Sequence, residues 1–239
     1  MSAPAKATFE SLRGMLTERR RERIDFVVRR RMRTLSIVVE DLRDPHNQAA
    51  VLRTAEGLGL LTAHVIDTPD QNGRTETFEP ARGVTKDADK WLSVRRHRDL
   101  GPCVEELKAQ GFAIYCGALD PQAVNLYDLD VLRPCAFVFG NEHRGISPKL
   151  RAKSDRLFVI PMRGFVESFN VSVAAGICLA HAVRARELAG VESDLAAEER
   201  EALREAYERK SLGKRVLRAA ENLAAETESP DDPLVSPGG

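Results

Sequence analysis

The sequence predicts an α/β fold with a mostly parallel sheet covered by helices on both faces. Short apolar runs alternate along the chain with segments of helical composition, which is the pattern of strands joined by helical crossovers. The runs at residues 135–139 and 156–160 are bounded by Pro134 and Pro161, as is typical of buried strands. With 239 residues, 43% of them hydrophobic, the chain can form one such domain with modest extensions at its ends.

Local signals predict the elements in order. Residues 9–32 have helical composition, and strands are predicted at residues 35–40 and 63–67. Asn47 is predicted to cap a helix that continues to about Leu58 and is closed by Gly57 and Gly59. Ser147 and Pro148 form an N-cap and first-turn pair that begins a short helix. Further strands are predicted at 93–97, 112–117, 135–139 and 156–160, and further helices at 103–110, 170–188 and 195–225.

These elements suggest four parts: a basic helical extension (1–33), the α/β domain (34–190), a helical extension (191–228) and a disordered tail (229–239). The formal net charge is +0, but the charge is unevenly distributed. Between residues 11 and 33, only Glu18, Glu22 and Asp25 oppose nine arginines, at positions 13, 19, 20, 21, 23, 29, 30, 31 and 33. Such an arm indicates a phosphate-binding surface, and its alternative is a solvated helix face.

No metal site, disulfide or membrane segment is predicted. The four cysteines have no CxxC spacing, and three of them, Cys116, Cys135 and Cys178, lie in apolar runs, so we interpret all four as reduced thiols. The five histidines show no metal-binding spacing, and no apolar stretch reaches 18 residues. A soluble, cytoplasmic protein is expected.

Three loops that follow predicted strands are rich in polar residues and glycine. They span residues 44–47, 140–145 and 161–170, and a helix carrying Arg53 follows the first. Ligands collect at the carboxyl ends of parallel strands, so three such loops predict a site. Taken singly, each has a structural alternative: Asn47 can serve only as a helix cap, Glu142 can neutralise Arg144, and Ser168 or Asn170 can cap the long helix.

Several common sites are excluded by their missing motifs. There is no GxxxxGK[ST] phosphate loop, no GxGxxG after the first strand and no GxSxG nucleophile elbow. From the residues alone, the chain is a ligand-binding α/β protein with an anionic partner.

The same three loops resemble the three motifs of the SpoU/TrmH family of SPOUT RNA 2'-O-ribose methyltransferases. Residues 47–54, with Asn47 and Arg53, resemble motif 1, and residues 139–145, with Glu142, resemble motif 2. Residues 160–175, with Ser168 and Asn170, resemble the long and specific motif 3. Phe169 stands where the family usually has leucine, and residues 68–90 match poorly.

The resemblance implies a fold with a deep trefoil knot whose loops hold S-adenosylmethionine, largely through backbone groups, and release S-adenosylhomocysteine. By position, the cofactor-binding residues are Gly117, Gly140, Ile160, Met162, Phe169 and Val171. No metal is required. The catalytic group is Arg53, and Asn47, Glu142, Ser168 and Asn170 position ribose, base or cofactor.

The resemblance is strongest to the members that modify tRNA, and it implies methylation of guanosine 18 in the D-loop. It also implies a homodimer with its active site between two subunits. Arg19, Arg20, Arg21 and Arg23 are the predicted RNA-binding residues. Two alternatives remain open: the same chemistry on ribosomal RNA, and a non-catalytic RNA-binding protein with the same fold.

Overall fold

The computed structural model describes residues 12–69 and 88–213. Residues 30–195 form one compact unit, and the segments on either side of them form a second. The predicted tail at 229–239 and most of the unassigned stretch at 68–90 lie outside the described residues.

The larger unit is built on a seven-stranded sheet in which every paired strand is parallel, so the predicted fold class is confirmed. The strand order is β3-β2-β1-β6-β4-β7-β5. The strands are β1 Leu35–Glu40, β2 Thr62–Ile66, β3 Ser93–His97, β4 Ala113–Gly117, β5 Val124–Asn125, β6 Cys135–Phe139 and β7 Arg156–Val159. The two-residue strand β5 was not predicted, because two residues carry no periodic signal.

Five α-helices in the described part of this unit connect the strands or follow the last of them. They are α2 Pro45–Gly57, α3 Ala88–Trp91, α4 Leu100–Ala109, α5 Pro148–Lys153 and α6 Val171–Leu188. One apolar cluster joins Ile37 and Val39 of β1 to α2 and α6, and the other joins Val38 to α4 and α5. Since successive strand residues point to opposite faces, helices cover both faces of the sheet. No helix in the described part of the chain is both long and apolar enough to cross a membrane.

Side-chain caps decide where several helices begin, and two predictions about them are wrong. Asp44, not Asn47, caps α2: its carboxylate accepts from the His46 backbone N–H at 2.8 Å, and Pro45 occupies the first turn. Helix α4 begins at Leu100 and not at residue 103, because Asp99 caps it. The predicted caps Ser147 of α5 and Asn170 of α6 are confirmed.

The smaller unit consists of α1, Glu18–Val28, and α7, Ala197–Leu212. In the described part of residues 9–32, which have helical composition, Thr17 caps α1 after a turn at Gly14 and Met15. Helix α7 has its C-cap at Gly213, whose φ of +80° favours glycine. Residues 214–225 of the predicted helix lie outside the described residues. Within this unit, Arg204 of α7 donates to Asp25 of α1 at 2.6 Å, and Arg13, which precedes α1, donates to Glu208 of α7 at 3.0 Å.

Candidate active site

The three polar loops meet at the carboxyl end of the sheet. Asn47, in the first turn of α2, donates from Nδ2 to Oε1 of Glu142 at 3.2 Å. Its Oδ1 accepts from Nδ2 of Asn170 at 3.0 Å. Asn170 in turn accepts from the backbone N–H and the hydroxyl of Ser172, at 2.9 and 2.6 Å. These hydrogen bonds, which we call the amide relay, connect one residue from each of the three loops.

The amide relay depends on the cap at Asp44. Because Asp44 satisfies the first free backbone N–H groups of α2, the Asn47 side chain is not used as a cap and can turn toward the other loops. Asn170 serves both purposes: Oδ1 caps α6, while Nδ2 reaches Asn47. The structural alternative for Asn47 therefore fails, whereas for Asn170 capping and the relay coexist.

A cavity of about 610 Å³ lies beside the relay, between the ends of β4, β6 and β7 and the start of α6. Glu142, Ser168 and Asn170 line it, as do all six residues predicted to bind cofactor: Gly117, Gly140, Ile160, Met162, Phe169 and Val171. Its volume falls within the roughly 300–1,000 Å³ of small-molecule sites. Apolar side chains from Phe139, Phe158, Ile160 and Val171 form one side, and residues 140–145 form a polar one.

Two glycines shape the loop that borders this cavity. A Cβ atom on Gly140 would lie 2.2 Å from the carbonyl oxygen of Gly145, so only glycine fits there. Gly145 has a φ of +66° and donates its N–H to the Asn141 carbonyl at 2.8 Å, which closes the loop. Outside the loop, a Cβ at Gly117 would touch the Phe139 ring at 3.4 Å. Gly140 is buried, and the close approach of the loop's own backbone requires glycine there.

Two further side chains hold the 140–147 loop, and the sequence reasoning missed both. Glu40, buried at the end of β1, accepts from the N–H and the hydroxyl of Ser147, at 3.0 and 2.7 Å. Asn141, also buried, donates to the Asp41 carbonyl at 2.8 Å and accepts from the backbone N–H groups of His143 and Arg144. A glutamate ending a strand of the hydrophobic core was the available signal for Glu40.

Ion pairs also border the cavity. Arg144 lies 3.8 Å from Asp41, and Arg151, which lines the cavity, is paired with Asp120. The backbone N–H of Gln122 and the Arg151 guanidinium hold the pKa of the Asp120 carboxyl below its usual value. Arg151 is therefore already neutralised locally.

Arg53 and Ser168 stand apart from these networks. Arg53 is exposed on α2 and is not among the residues that line the cavity. Within the described part of the chain it makes no hydrogen bond or ion pair, so its charge is available to a ligand or partner. Ser168 is exposed and lines the cavity, and its hydroxyl has no hydrogen-bonding partner among the same residues.

The arginines of the N-terminal arm have different surroundings. Arg31 is buried and donates to Glu56 at 2.6 Å, and Arg13 pairs with Glu208, so both have structural roles. In α1, Arg20 donates to the Ser211 hydroxyl at 3.1 Å and Arg23 lies over the Phe26 ring. Arg19 and Arg21 are exposed. Fewer arginines of the arm are thus available to bind phosphate than its charge count indicates.

Comparison with known proteins identifies the family of this chain. Residues 34–180 match the sequence profile of the SpoU rRNA Methylase family. The chain belongs to this family. The matched residues include all three polar loops and the entire lining of the cavity.

Two relatives and one solved structure show which members of the family this chain is similar to. The chain is 39% identical to the tRNA (guanosine(18)-2'-O)-methyltransferase of Thermus thermophilus, over 73% of this chain and 87% of that protein. It is 35% identical to the Escherichia coli enzyme of the same name, over 71% of each. Among solved structures, the Aquifex aeolicus TrmH/SpoU tRNA modifying enzyme superposes with a TM-score of 0.71 at 29% identity, covering 81% of this chain and 97% of that one.

Proposed function

We propose that this chain transfers a methyl group from S-adenosylmethionine to the 2'-oxygen of a ribose in tRNA, at guanosine 18 of the D-loop. The observation that carries the proposal is the amide relay, which connects the three family motifs at the rim of the cavity. Relatives named for this reaction align over more than two thirds of the chain.

The cavity has the chemistry that S-adenosylmethionine requires. Its apolar side suits an adenine ring, and the polar 140–145 loop offers hydrogen bonds to polar groups of the cofactor. The cofactor supplies a methyl carbon activated by positive sulfur. We assign its binding to Gly117, Gly140, Ile160, Met162, Phe169 and Val171, with S-adenosylhomocysteine as the product.

The protein then has to place the ribose oxygen and stabilise the charge that forms on it as its proton leaves. Arg53 is the group we assign to this task. A guanidinium stays protonated well above neutral pH, so Arg53 binds a substrate phosphate and the developing alkoxide, and the proton of the 2'-hydroxyl passes to solvent water. The amide relay, with Glu142, Asn47 and Asn170, and the free hydroxyl of Ser168 orient the nucleotide.

A second copy of the chain completes the site in this proposal. Arg53 does not line the cavity of its own chain, so one chain does not place it beside the cofactor. The 161–170 loop and α6 expose large apolar side chains, with relative exposures of 108% for Phe165, 66% for Val166 and 48% for Val173. Such a surface is suited to an isologous contact, and we propose a homodimer. The trefoil knot implied by the resemblance and the cytoplasmic location expected from the sequence remain parts of the same proposal.

Ribosomal RNA is the second candidate substrate, because the family is named the SpoU rRNA Methylase family. Arg53 and Asn170, which an inactive relative would be expected to lose, are both present, and this favours an enzyme over a non-catalytic RNA-binding protein. The alignments with tRNA-modifying relatives cover more than two thirds of this chain and of those proteins, which favours tRNA as the substrate.

The test uses purified protein with labelled S-adenosylmethionine and two RNAs, a tRNA transcript and a ribosomal RNA fragment. We expect the label in tRNA alone, at guanosine 18, and none in a tRNA that already carries a 2'-O-methyl group there. Calorimetry without RNA should detect cofactor binding. Label in the ribosomal fragment alone would move the substrate to ribosomal RNA, and absence of cofactor binding by folded protein would remove the methyltransferase assignment.

A further inference from the structure

Three side chains with metal-binding atoms converge at the β2–β3 edge of the sheet. His64 belongs to β2, His97 ends the edge strand β3, and Cys103 lies in the first half of α4. One ligand atom from each residue, a ring nitrogen or Sγ, lies within 4.8 Å of the other two. We propose that His64, His97 and Cys103 bind a divalent cation of the zinc class.

The fold brings these residues together because of the strand register. His64 pairs with Arg95 in the parallel β2–β3 ladder, and His97 pairs with Ile66. Alternate strand residues share a face, so both histidines point to the face that α4 covers. The two rings stack with centroids 5.2 Å apart. His64 and Cys103 are buried, and His97 is half-buried, so His97 is the solvent-accessible member of the cluster.

The distances are close to those of a coordination shell. Nδ1 of His64 lies 3.0 Å from Nε2 of His97 and 3.5 Å from Sγ of Cys103. With Zn–N about 2.0–2.1 Å and Zn–S about 2.3 Å, tetrahedral geometry separates two nitrogens by about 3.4 Å and nitrogen from sulfur by about 3.5 Å. Two of the three separations therefore lie within a few tenths of an ångström of those around zinc, and the third, between His97 and Cys103, is at most 4.8 Å.

The hydrogen-bonding capacity of the three atoms points the same way. A neutral imidazole nitrogen carries either one proton or one lone pair. In one tautomer, Nδ1 of His64 accepts a hydrogen bond from His97, and the Cys103 thiol then competes for the same lone pair. In the other tautomer, Nδ1 carries a proton and donates, and the thiol can no longer donate to it. A cation accepts a lone pair from each atom at once.

The site would be separate from the cavity, which lies elsewhere on the sheet. Strands β4, β6 and β7 border the cavity, whereas β2 and β3 stand at the opposite edge in the order β3-β2-β1-β6-β4-β7-β5. A bound ion would connect the edge strand β3 to β2 and α4, with water in the fourth position. Sequence spacing could not reveal it, since its residues come from three elements spread over residues 64–103.

The test measures zinc and cobalt binding by the full chain. After equilibration with Zn²⁺ and gel filtration, we expect about one zinc ion per chain, and the Co²⁺ form should show a near-ultraviolet thiolate-to-cobalt band. Cys103→Ser should lose that band, and His97→Ala should lower metal affinity about tenfold or more. His181→Ala and Cys178→Ser are matched controls that should bind as the wild type does. Zinc should raise the melting temperature of the wild type but not of His97→Ala.

Two results would overturn the proposal. One is wild-type protein that retains no more zinc than the His97→Ala/Cys103→Ser double variant. The other is a Co²⁺ spectrum without a thiolate band, which needs no variant and so decides the matter even if Cys103→Ser fails to fold. Both leave the methyltransferase proposal untouched, because the cavity shares no residue with this cluster.

Discussion

At the scale of single residues, Arg53 and Asn47 illustrate two ways in which one helix contributes to the site. Asn47 is held on both sides, by Glu142 and by Asn170, so its geometry is set before any ligand binds. Arg53, six positions later, is exposed and lies about 9 Å further along the helix axis. Preorganised amides suit orientation of a substrate, and an uncommitted guanidinium suits charge stabilisation.

Arg53→Ala is therefore expected to lower kcat by about 10²–10³-fold, the usual cost of removing one donor to a developing oxyanion. Affinity for S-adenosylmethionine should stay within about twofold, because Arg53 does not line the cavity. Arg53→Lys should recover little, since an ammonium is a point charge without the planar fork. Steady-state kinetics and calorimetry measure both quantities. Arg98→Ala is the matched control, as Arg98 is also exposed but follows β3. Near wild-type turnover in Arg53→Lys would contradict this role.

At the scale of elements, α1 has both a structural and a charged surface. Ile24 and Val28 are buried, and Asp25 accepts from Arg204 of α7, so this side stabilises the smaller unit. Arg19, Arg21 and Arg23 are exposed, while Arg20 donates a hydrogen bond to the Ser211 hydroxyl. Of the predicted RNA-binding set, these three can therefore be changed with the least effect on folding.

Arg19→Ala/Arg21→Ala/Arg23→Ala should weaken binding to all tRNAs about equally. Each lost phosphate contact lowers the slope of log K against log[salt] by about 0.9. Fluorescence titration at two salt concentrations measures both effects, and S-adenosylmethionine binding should not change. Lys149→Ala/Lys153→Ala is a charge-neutralising control, since those lysines pair with Asp99 and Glu105. If affinity and slope are unaltered in the triple variant, α1 is only a solvated helix face.

At the scale of the whole molecule, the proposed dimer has a consequence that can be measured by mixing variants. Arg53→Ala should lack the charge but keep the cavity, and Gly140→Ala should lose the cofactor because a Cβ cannot fit against Gly145. Neither homodimer should be active. A heterodimer that takes Arg53 from one subunit and the cavity from the other regains one working site.

We therefore expect a mixture of the two variants, co-refolded or co-expressed, to recover up to about a quarter of wild-type activity by random assortment. Gly57→Ala is the control for the glycine substitution itself, because nothing lies within 4 Å of a Cβ at Gly57. It is used in place of Gly140→Ala. Sedimentation should first establish that each variant is dimeric. Dimeric variants that never complement one another would place Arg53 and its cavity in the same chain.

The sequence by itself determined the fold class, most strands, the caps at Ser147 and Asn170, and the three loops that meet at the cavity. Those features depend on periodicity and on hydrogen bonds between residues a few positions apart. Only the tertiary structure decided that Asp44 replaces Asn47 as a cap, that Glu40 fixes Ser147, and that His64, His97 and Cys103 converge. The Asp44 cap is a local contact, two positions from His46, and was missed because Asn47 is an equally good capping residue type. The other contacts span 33 to 107 positions along the chain, and strand order, which local periodicity does not encode, brings them together.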